Sequence, residues 1–174
     1  MKKQIFIING SGGVGKDTFV ELIKKCLQDR QLNGVLINFS SVDDIKRIAY
    51  GLGWDGGKSE KDRKFLSDLK YLATEYNDFP FNCMKKMVHS FKADEVSLVL
   101  FLHIREPKEI ERAVAEFGCK TILIKRDRVK HITTNMADKN VFNYKYDFVI
   151  ENNGTLDELR QKCNKFVEEI VLKE

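Results

Sequence analysis

The sequence predicts an α/β domain: a five-stranded parallel sheet with helices on both faces. Three observations predict it. Strand-length, mostly apolar runs recur along the 174 residues. Segments with apolar residues at helical spacing separate them. A glycine cluster closes the first run, where a strand hands over to a helix.

Ile5 to Ile8 is four successive apolar residues, which leaves neither face for water and marks a strand buried on both sides. Phe19, Leu22, Ile23, Cys26 and Leu27 then share one helical face. Asn33-Gly34 is a turn, and Val35 to Phe39 a second strand. Val42 to Leu52 reads as helix, ending near Gly51 and Gly53. A polar, glycine-rich loop around Trp54 follows. Ser59 with Asp62 three residues on is a capping arrangement for a helix to Tyr76. Pro80 starts another, to Lys92. Val96 to Leu102 is the strongest strand. Pro107 opens a helix that Gly118 stops after Phe117. Thr121 to Ile124 and Asp147 to Ile150 are the fourth and fifth strands. Arg126 to Asn143 has no clear period and reads as a mobile segment with a short helix. Leu156, Leu159, Cys163, Phe166, Val167, Ile170 and Val171 form the apolar face of a closing helix. Alternation of strand and helix throughout predicts one domain over residues 1–174. The strandless stretch 42–92 is read as a helical insertion beside the ligand crevice, and 126–143 as a lid.

Apolar residues at 43% and charged residues at 32% describe a folded, soluble chain. The first apolar run is too short for a secretory leader, and none nears the roughly 20 residues of a membrane span. The expected location is the cytoplasm. Cys26, Cys83, Cys119 and Cys163 are widely spaced and form no Cys-x-x-Cys pair, so they are read as reduced thiols. His89, His103 and His131 lack metal-ligand spacing. Net charge is +4, but Lys120 to Lys145 holds seven basic and two acidic residues, which leaves the remainder near −1. Such local basicity suits an anionic small molecule better than nucleic acid, which needs a broad basic face.

Gly10-Ser11-Gly12-Gly13-Val14-Gly15-Lys16 satisfies Gly-x-x-x-x-Gly-Lys between a strand and a helix. Glycines let the backbone curl so that N–H groups point at phosphate oxygens. The helix N-terminus adds positive potential, and Lys16 brings a point charge to the outer phosphates. Asp17 stands where Ser or Thr usually offers a hydroxyl to magnesium. Its carboxylate either binds the metal or favours the first helical turn. Thr18 either contacts an inner phosphate or is a plain first-turn residue. The guanine-specific Asn-Lys-x-Asp is absent, since "NMADKN" has no Asn-Lys before an Asp. This disfavours a GTPase, and the chain is too small for most motor modules.

From "GKDT" onward the sequence resembles the P-loop nucleoside monophosphate kinases. "VDDIKRIAYGLGWDGGKSEKDRKFLSDL", "HIREPKEIERAVAEFG" and "VIENNGTLDEL" are similar to segments of the phage-type deoxynucleoside monophosphate kinases. The resemblance covers most of the chain. It implies a P-loop kinase fold, ATP and Mg2+ as cofactors, and transfer of the terminal phosphoryl to a nucleoside monophosphate. It also implies a small-molecule nucleotide as partner, with no nucleic acid or membrane, in a monomer or homodimer.

By position, it places Asp43 and Lys46 at the acceptor end of the cradle, and Lys61 and Arg63 on the acceptor in the insertion. Arg105 would hold the acceptor phosphate. Arg126 and Arg128 would be lid arginines, with a plain surface turn as the alternative. Asn152 and Gly154 would lie near the base. Lys16, Asp43, Arg105, Arg126 and Arg128 are thus the expected catalytic set. Asp17 and Asp43 are the expected metal ligands, because His103 occupies the family's acidic position at the end of the third strand. Either one of those aspartates supplies the missing carboxylate, or transfer is impaired. Within enzymes the rivals are dephospho-coenzyme A and phosphomevalonate kinases; outside them, it is an inactive nucleotide-binding module.

Overall fold

The computed structural model describes residues 3–32, 35–129 and 140–172. Contacts divide the chain into two units, Met1–Asn38 with Asp94–Glu174, and Phe39–Ala93.

The first unit holds the sheet. Its strands are β1 (Gln4–Asn9), β2 (Val35–Ser40, whose last two residues fall in the second unit), β3 (Ser97–His103), β4 (Lys120–Lys125) and β5 (Phe148–Glu151). Their order is β2-β3-β1-β4-β5, and β1 runs parallel to both β3 and β4, as β4 does to β5. The expected five-stranded sheet is therefore present. From β1 the chain runs to β2 on one flank; from β3 it crosses to β4 on the other. In such sheets the ligand crevice opens where that direction reverses, at the carboxyl ends of the strands. Ile8 lies beside His103 and Asn9 beside Leu123, so the residues after β1 and β3 meet at that reversal.

Helix α1 (Lys16–Asp29) buries Phe19, Val20, Ile23, Cys26 and Leu27 against the sheet's core. Helix α5 (Pro107–Phe117) ends at Gly118, in the left-handed region. Helix α6 (Leu156–Phe166) starts with a capping box, Thr155 and Glu158 exchanging bonds. Phenylalanines bind these layers together. Phe6 stacks on Phe101 at 5.7 Å between centroids, and Phe166 sets its ring edge-on to Phe6, Phe19 and Phe148 at 5.2, 5.7 and 5.6 Å. Each such pair adds about 0.5–1.5 kcal/mol beyond simple burial.

The second unit contains α2 (Asp43–Gly51), α3 (Glu60–Asn77) and α4 (Phe79–Ala93). The expected Ser59–Asp62 capping box starts α3. Asp78, at φ 56, ends α3 so abruptly that α4 begins at Phe79, one residue before Pro80.

Most boundaries shift by a residue, and three of the differences have a physical reason in the structure. Val96 is 53% exposed and precedes β3, because the Asp94 carboxylate captures the backbone N–H of Val96 and Ser97 in a turn. Asp147 lies outside β5; its carboxylate accepts from the backbone N–H and hydroxyl of Thr121 at 2.7 Å each, tying β5 to the start of β4. The closing helix leaves α geometry at Phe166 and continues as a π-helical turn, Val167–Val171, which still buries Val167 and Val171. β5 is an edge strand, with Val149 53% exposed, so it is not apolar-covered on both faces like β1.

Candidate functional site

The site begins where β1 ends. Asn9 is the last residue of an otherwise apolar strand and is fully buried, so its amide must find partners. The Gly10 N–H donates to its Oδ1 at 2.8 Å, and its Nδ2 donates to the Arg105 carbonyl at 3.1 Å and the Tyr146 hydroxyl at 2.8 Å. The tyrosine hydroxyl in turn donates to the Val141 carbonyl at 2.8 Å. Burial pushes the Tyr146 phenol up to about 12, so it keeps its proton throughout the physiological range.

The loop then curls. Gly10 has φ 147, and a Cβ there would meet the Ile124 carbonyl oxygen at 2.5 Å, so only glycine lets the loop lie on β4. Gly15, at φ 97, is the N-cap of α1, and a Cβ there would meet Asn152 Nδ2 at 2.5 Å. That amide is occupied: it donates to the Val14 carbonyl at 2.8 Å, while the Asn152 backbone N–H donates to Lys125 at 2.7 Å. Val14 is buried beneath the loop. No side chain caps α1, unlike α6, so no capping group competes with an anion at its first turn. Lys16 Nζ donates to the carbonyls of Gly10 and Ser11, at 2.5 and 2.9 Å, which holds the ammonium at the loop. The Ser11 hydroxyl is buried and has no hydrogen-bond partner among the described residues. A curled backbone, an open helix end, a tethered ammonium and an orphaned buried hydroxyl form a donor set suited to phosphate oxygens.

The other expected residues divide by unit. In the sheet unit, Asp17 and Thr18 are exposed on the first turn of α1. Thr18 borders an open groove of about 510 Å³ between α1 and α6, with Leu22, Lys25, Leu156 and Arg160. Arg105 is exposed, and its main chain is fixed by Asn9. His103, at the end of β3, shares a 2.7 Å hydrogen bond between its Nε2 and the Asn38 Oδ1 on β2. Asn38 accepts there, so the imidazole carries its proton on Nε2. Arg126 opens the turn after β4, closed by Val129 N–H on the Arg126 carbonyl, with Arg128 exposed in it. Asp127 and Asn153 exchange bonds of 2.7 and 2.8 Å, joining this turn to the one after β5. Lys125 pairs with Asp127 at 3.3 Å. Gly154 leaves room for the Glu158 carboxylate, which a Cβ would strike at 1.7 Å. Of the expected lid, residues 130–139 and with them His131 lie outside the described residues.

In the helical unit, the Asp43 carboxylate accepts from the Ser40 N–H at 2.8 Å and pairs with Lys46 at 3.8 Å. Lys61 and Arg63 are exposed in the first turn of α3. Trp54 packs on Tyr50, centroids 4.8 Å apart. Among the described residues, no three His, Cys, Asp or Glu side chains gather into a ready metal site.

Sequence reasoning missed Asn9, Tyr146 and Asn153. One signal pointed to the first: an amide ending the run "IFIIN" has to be satisfied from elsewhere in the chain.

No protein-family model matches the chain, and no curated protein matches it by sequence. Solved structures do. The APS kinase of Mycobacterium tuberculosis, in complex with AMPPNP and APS, aligns over 97% of this chain and 99% of its own, at 16% identity and TM-score 0.46. The shikimate kinase of Bacteroides thetaiotaomicron aligns over 95% and 98%, at 14% identity and TM-score 0.44. The shikimate kinase of Aquifex aeolicus aligns over 98% and 100%, at 12% identity and TM-score 0.52. At such identity the likeness is one of fold, and together with the loop of Gly10 to Lys16 it gives this chain the P-loop α/β fold that shikimate kinase also has.

Proposed function

We propose that the chain is an ATP-dependent phosphotransferase that moves the γ-phosphoryl of ATP to a nucleoside or deoxynucleoside monophosphate. The observation that carries this is the Gly10–Lys16 loop: it curls at the open end of α1 with Lys16 tethered to two of its carbonyls and the Ser11 hydroxyl buried without a partner. Phosphoryl transfer asks the protein mainly for in-line positioning and neutralisation of charge. Lys16 and the loop amides would hold the ATP phosphates. Arg105, at the strand end beside the loop, would take the acceptor phosphate. Arg126 and Arg128 leave β4 at the same end of the sheet, and their planar forks suit the transferring group. Asp43, Lys46, Lys61 and Arg63 are the acceptor-side candidates, and Asn152 with Gly154 those beside the base.

Magnesium, when bound, would neutralise part of the phosphate charge. Either Asp17 or Asp43 would supply the carboxylate that holds it.

One observation favours a second reading. His103 spends its Nε2 proton on Asn38 where the resembling kinases carry an acid, and this suits an inactive nucleotide-binding module.

A coupled assay separates the readings. The acceptor panel holds nucleoside and deoxynucleoside monophosphates, dephospho-coenzyme A, phosphomevalonate and shikimate. Transfer to a monophosphate that disappears in Lys16→Ala supports the proposal. Transfer only to another acceptor reassigns the substrate, and ATP binding without transfer identifies the inactive module.

A further inference from the structure

The buried amide of Asn9 touches three separate stretches of chain. Its Oδ1 fixes the N–H of Gly10, where the phosphate loop starts; its Nδ2 hydrogens reach the Arg105 carbonyl and the Tyr146 hydroxyl, 96 and 137 residues away. Only a carboxamide accepts once and donates twice from one side chain of this length. An aspartate would put a buried charge against the Arg105 carbonyl, and a leucine would orphan three groups at once. Both backbone partners also fix which way the amide faces: Gly10 offers a donor and Arg105 an acceptor. Tyr146 locks that orientation, since its hydroxyl accepts from Asn9 and donates to Val141, a fully buried residue.

We propose that Asn9 and Tyr146 are positioning residues that set the spacing between the phosphate loop and Arg105. They touch neither substrate. Asn9 pins the start of the donor cradle and the main chain of the acceptor arginine to one rigid group, and Tyr146 keeps that group from rotating. In-line transfer is sensitive to such spacing, because a misplacement of about 1 Å can cost about 10²-fold in rate. The kinetic consequence rests on the phosphotransferase reading; the geometric one stands apart from it.

The test is Tyr146→Phe, which keeps the ring and removes the hydroxyl. Expected are a kcat about tenfold lower, a KM for ATP within about twofold of wild type, and exchange of the Gly10 amide hydrogen about tenfold faster. A kcat and Gly10 exchange both within twofold of wild type overturn the proposal. So does faster exchange spread evenly over the sheet with kcat unchanged, which is the mark of a purely structural bond. If wild type transfers to no acceptor, the functional reading has failed, and Gly10 exchange alone decides the positioning claim. If Tyr146→Phe does not fold, wild type decides it by NMR: strong protection of both Asn9 side-chain amide hydrogens supports the network, and free exchange of either one overturns it.

Discussion

The sheet unit and the helical unit of this chain solve the burial problem differently. In the sheet unit β1 is buried along its whole length and five phenylalanines interlock. In the helical unit α3 runs for 18 residues and buries none of them. Ile48, Tyr50, Leu52, Tyr71, Leu72 and Tyr76 there are 39–87% exposed. The first unit places its donors by rigid packing and a satisfied polar network, as a phosphate cradle demands. The second carries most of the proposed acceptor-side residues on exposed helix starts, where substitution costs little fold stability. Such a division would keep the proposed phosphate cradle on the rigidly packed part and leave the proposed acceptor-side residues on surfaces that tolerate change.

The sharpest way to break the comparison is through stability. Phe101 is fully buried, stacks on Phe6 and meets Phe19 edge-on, so Phe101→Ala is expected to cost about 3–5 kcal/mol in urea unfolding. A loss under 1 kcal/mol would show that the sheet unit is not the rigid partner. Next is Lys16→Ala, expected to lower transfer by about 10²–10³-fold while leaving the unfolding midpoint near that of wild type, because the ammonium donates to carbonyls of the loop, at Gly10 and Ser11. A parallel loss of stability would make Lys16 a structural lysine. Gly15→Ala follows. Forcing a Cβ onto Asn152 at φ 97 is expected to weaken ATP binding about tenfold by calorimetry, through strain of about 1–3 kcal/mol.

These sites differ in how readable they were. β1 and β3 were legible because four or more successive apolar residues suit a strand buried on both faces. The loop was legible because glycine spacing, strand and helix coincide within nineteen residues, from Ile5 to Ile23. The Asn9 network was not, since its partners lie 96 and 137 residues away and no local spacing encodes them. Asn152 was singled out from the sequence, but the bond from its side-chain amide to the Val14 carbonyl, 138 residues away, has no local signal. The π-helical turn was equally hidden: Phe166, Val167, Ile170 and Val171 keep a helical apolar face, and periodicity does not distinguish that widened turn from an α-helix.

Within the helical unit the cap of α3 supplies a smaller effect. Ser59 donates its N–H and hydroxyl to Asp62, and these bonds hold the carboxyl below its ordinary 3.8. A carboxyl lowered in the folded state stabilises above its unfolded value and loses that contribution as pH falls through the folded one. Removing the N-cap hydroxyl in Ser59→Ala is expected to cost about 1 kcal/mol at pH 7. The difference from wild type should shrink below pH 3.8, as unfolding at pH 7 and pH 3 would show. A difference independent of pH would mean that the hydroxyl acts without the carboxylate.

The smallest expected effect tests the comparison most directly. Leu72 is 63% exposed on α3, and Tyr76, one turn on, is 87% exposed. If this face meets only water, Leu72→Ala removes little buried area, and the unfolding free energy stays within about 0.5 kcal/mol of wild type. Apolar residues scattered on a surface are ordinary, so this is the outcome the structure supports. A loss above about 1.5 kcal/mol that grows with protein concentration would mean that α3 is covered in solution by a second copy, since association stabilises by mass action. In that case the exposed helix would not be the adaptable half of an isolated chain. It would be an interface, and the contrast between the two units would belong to the monomer only.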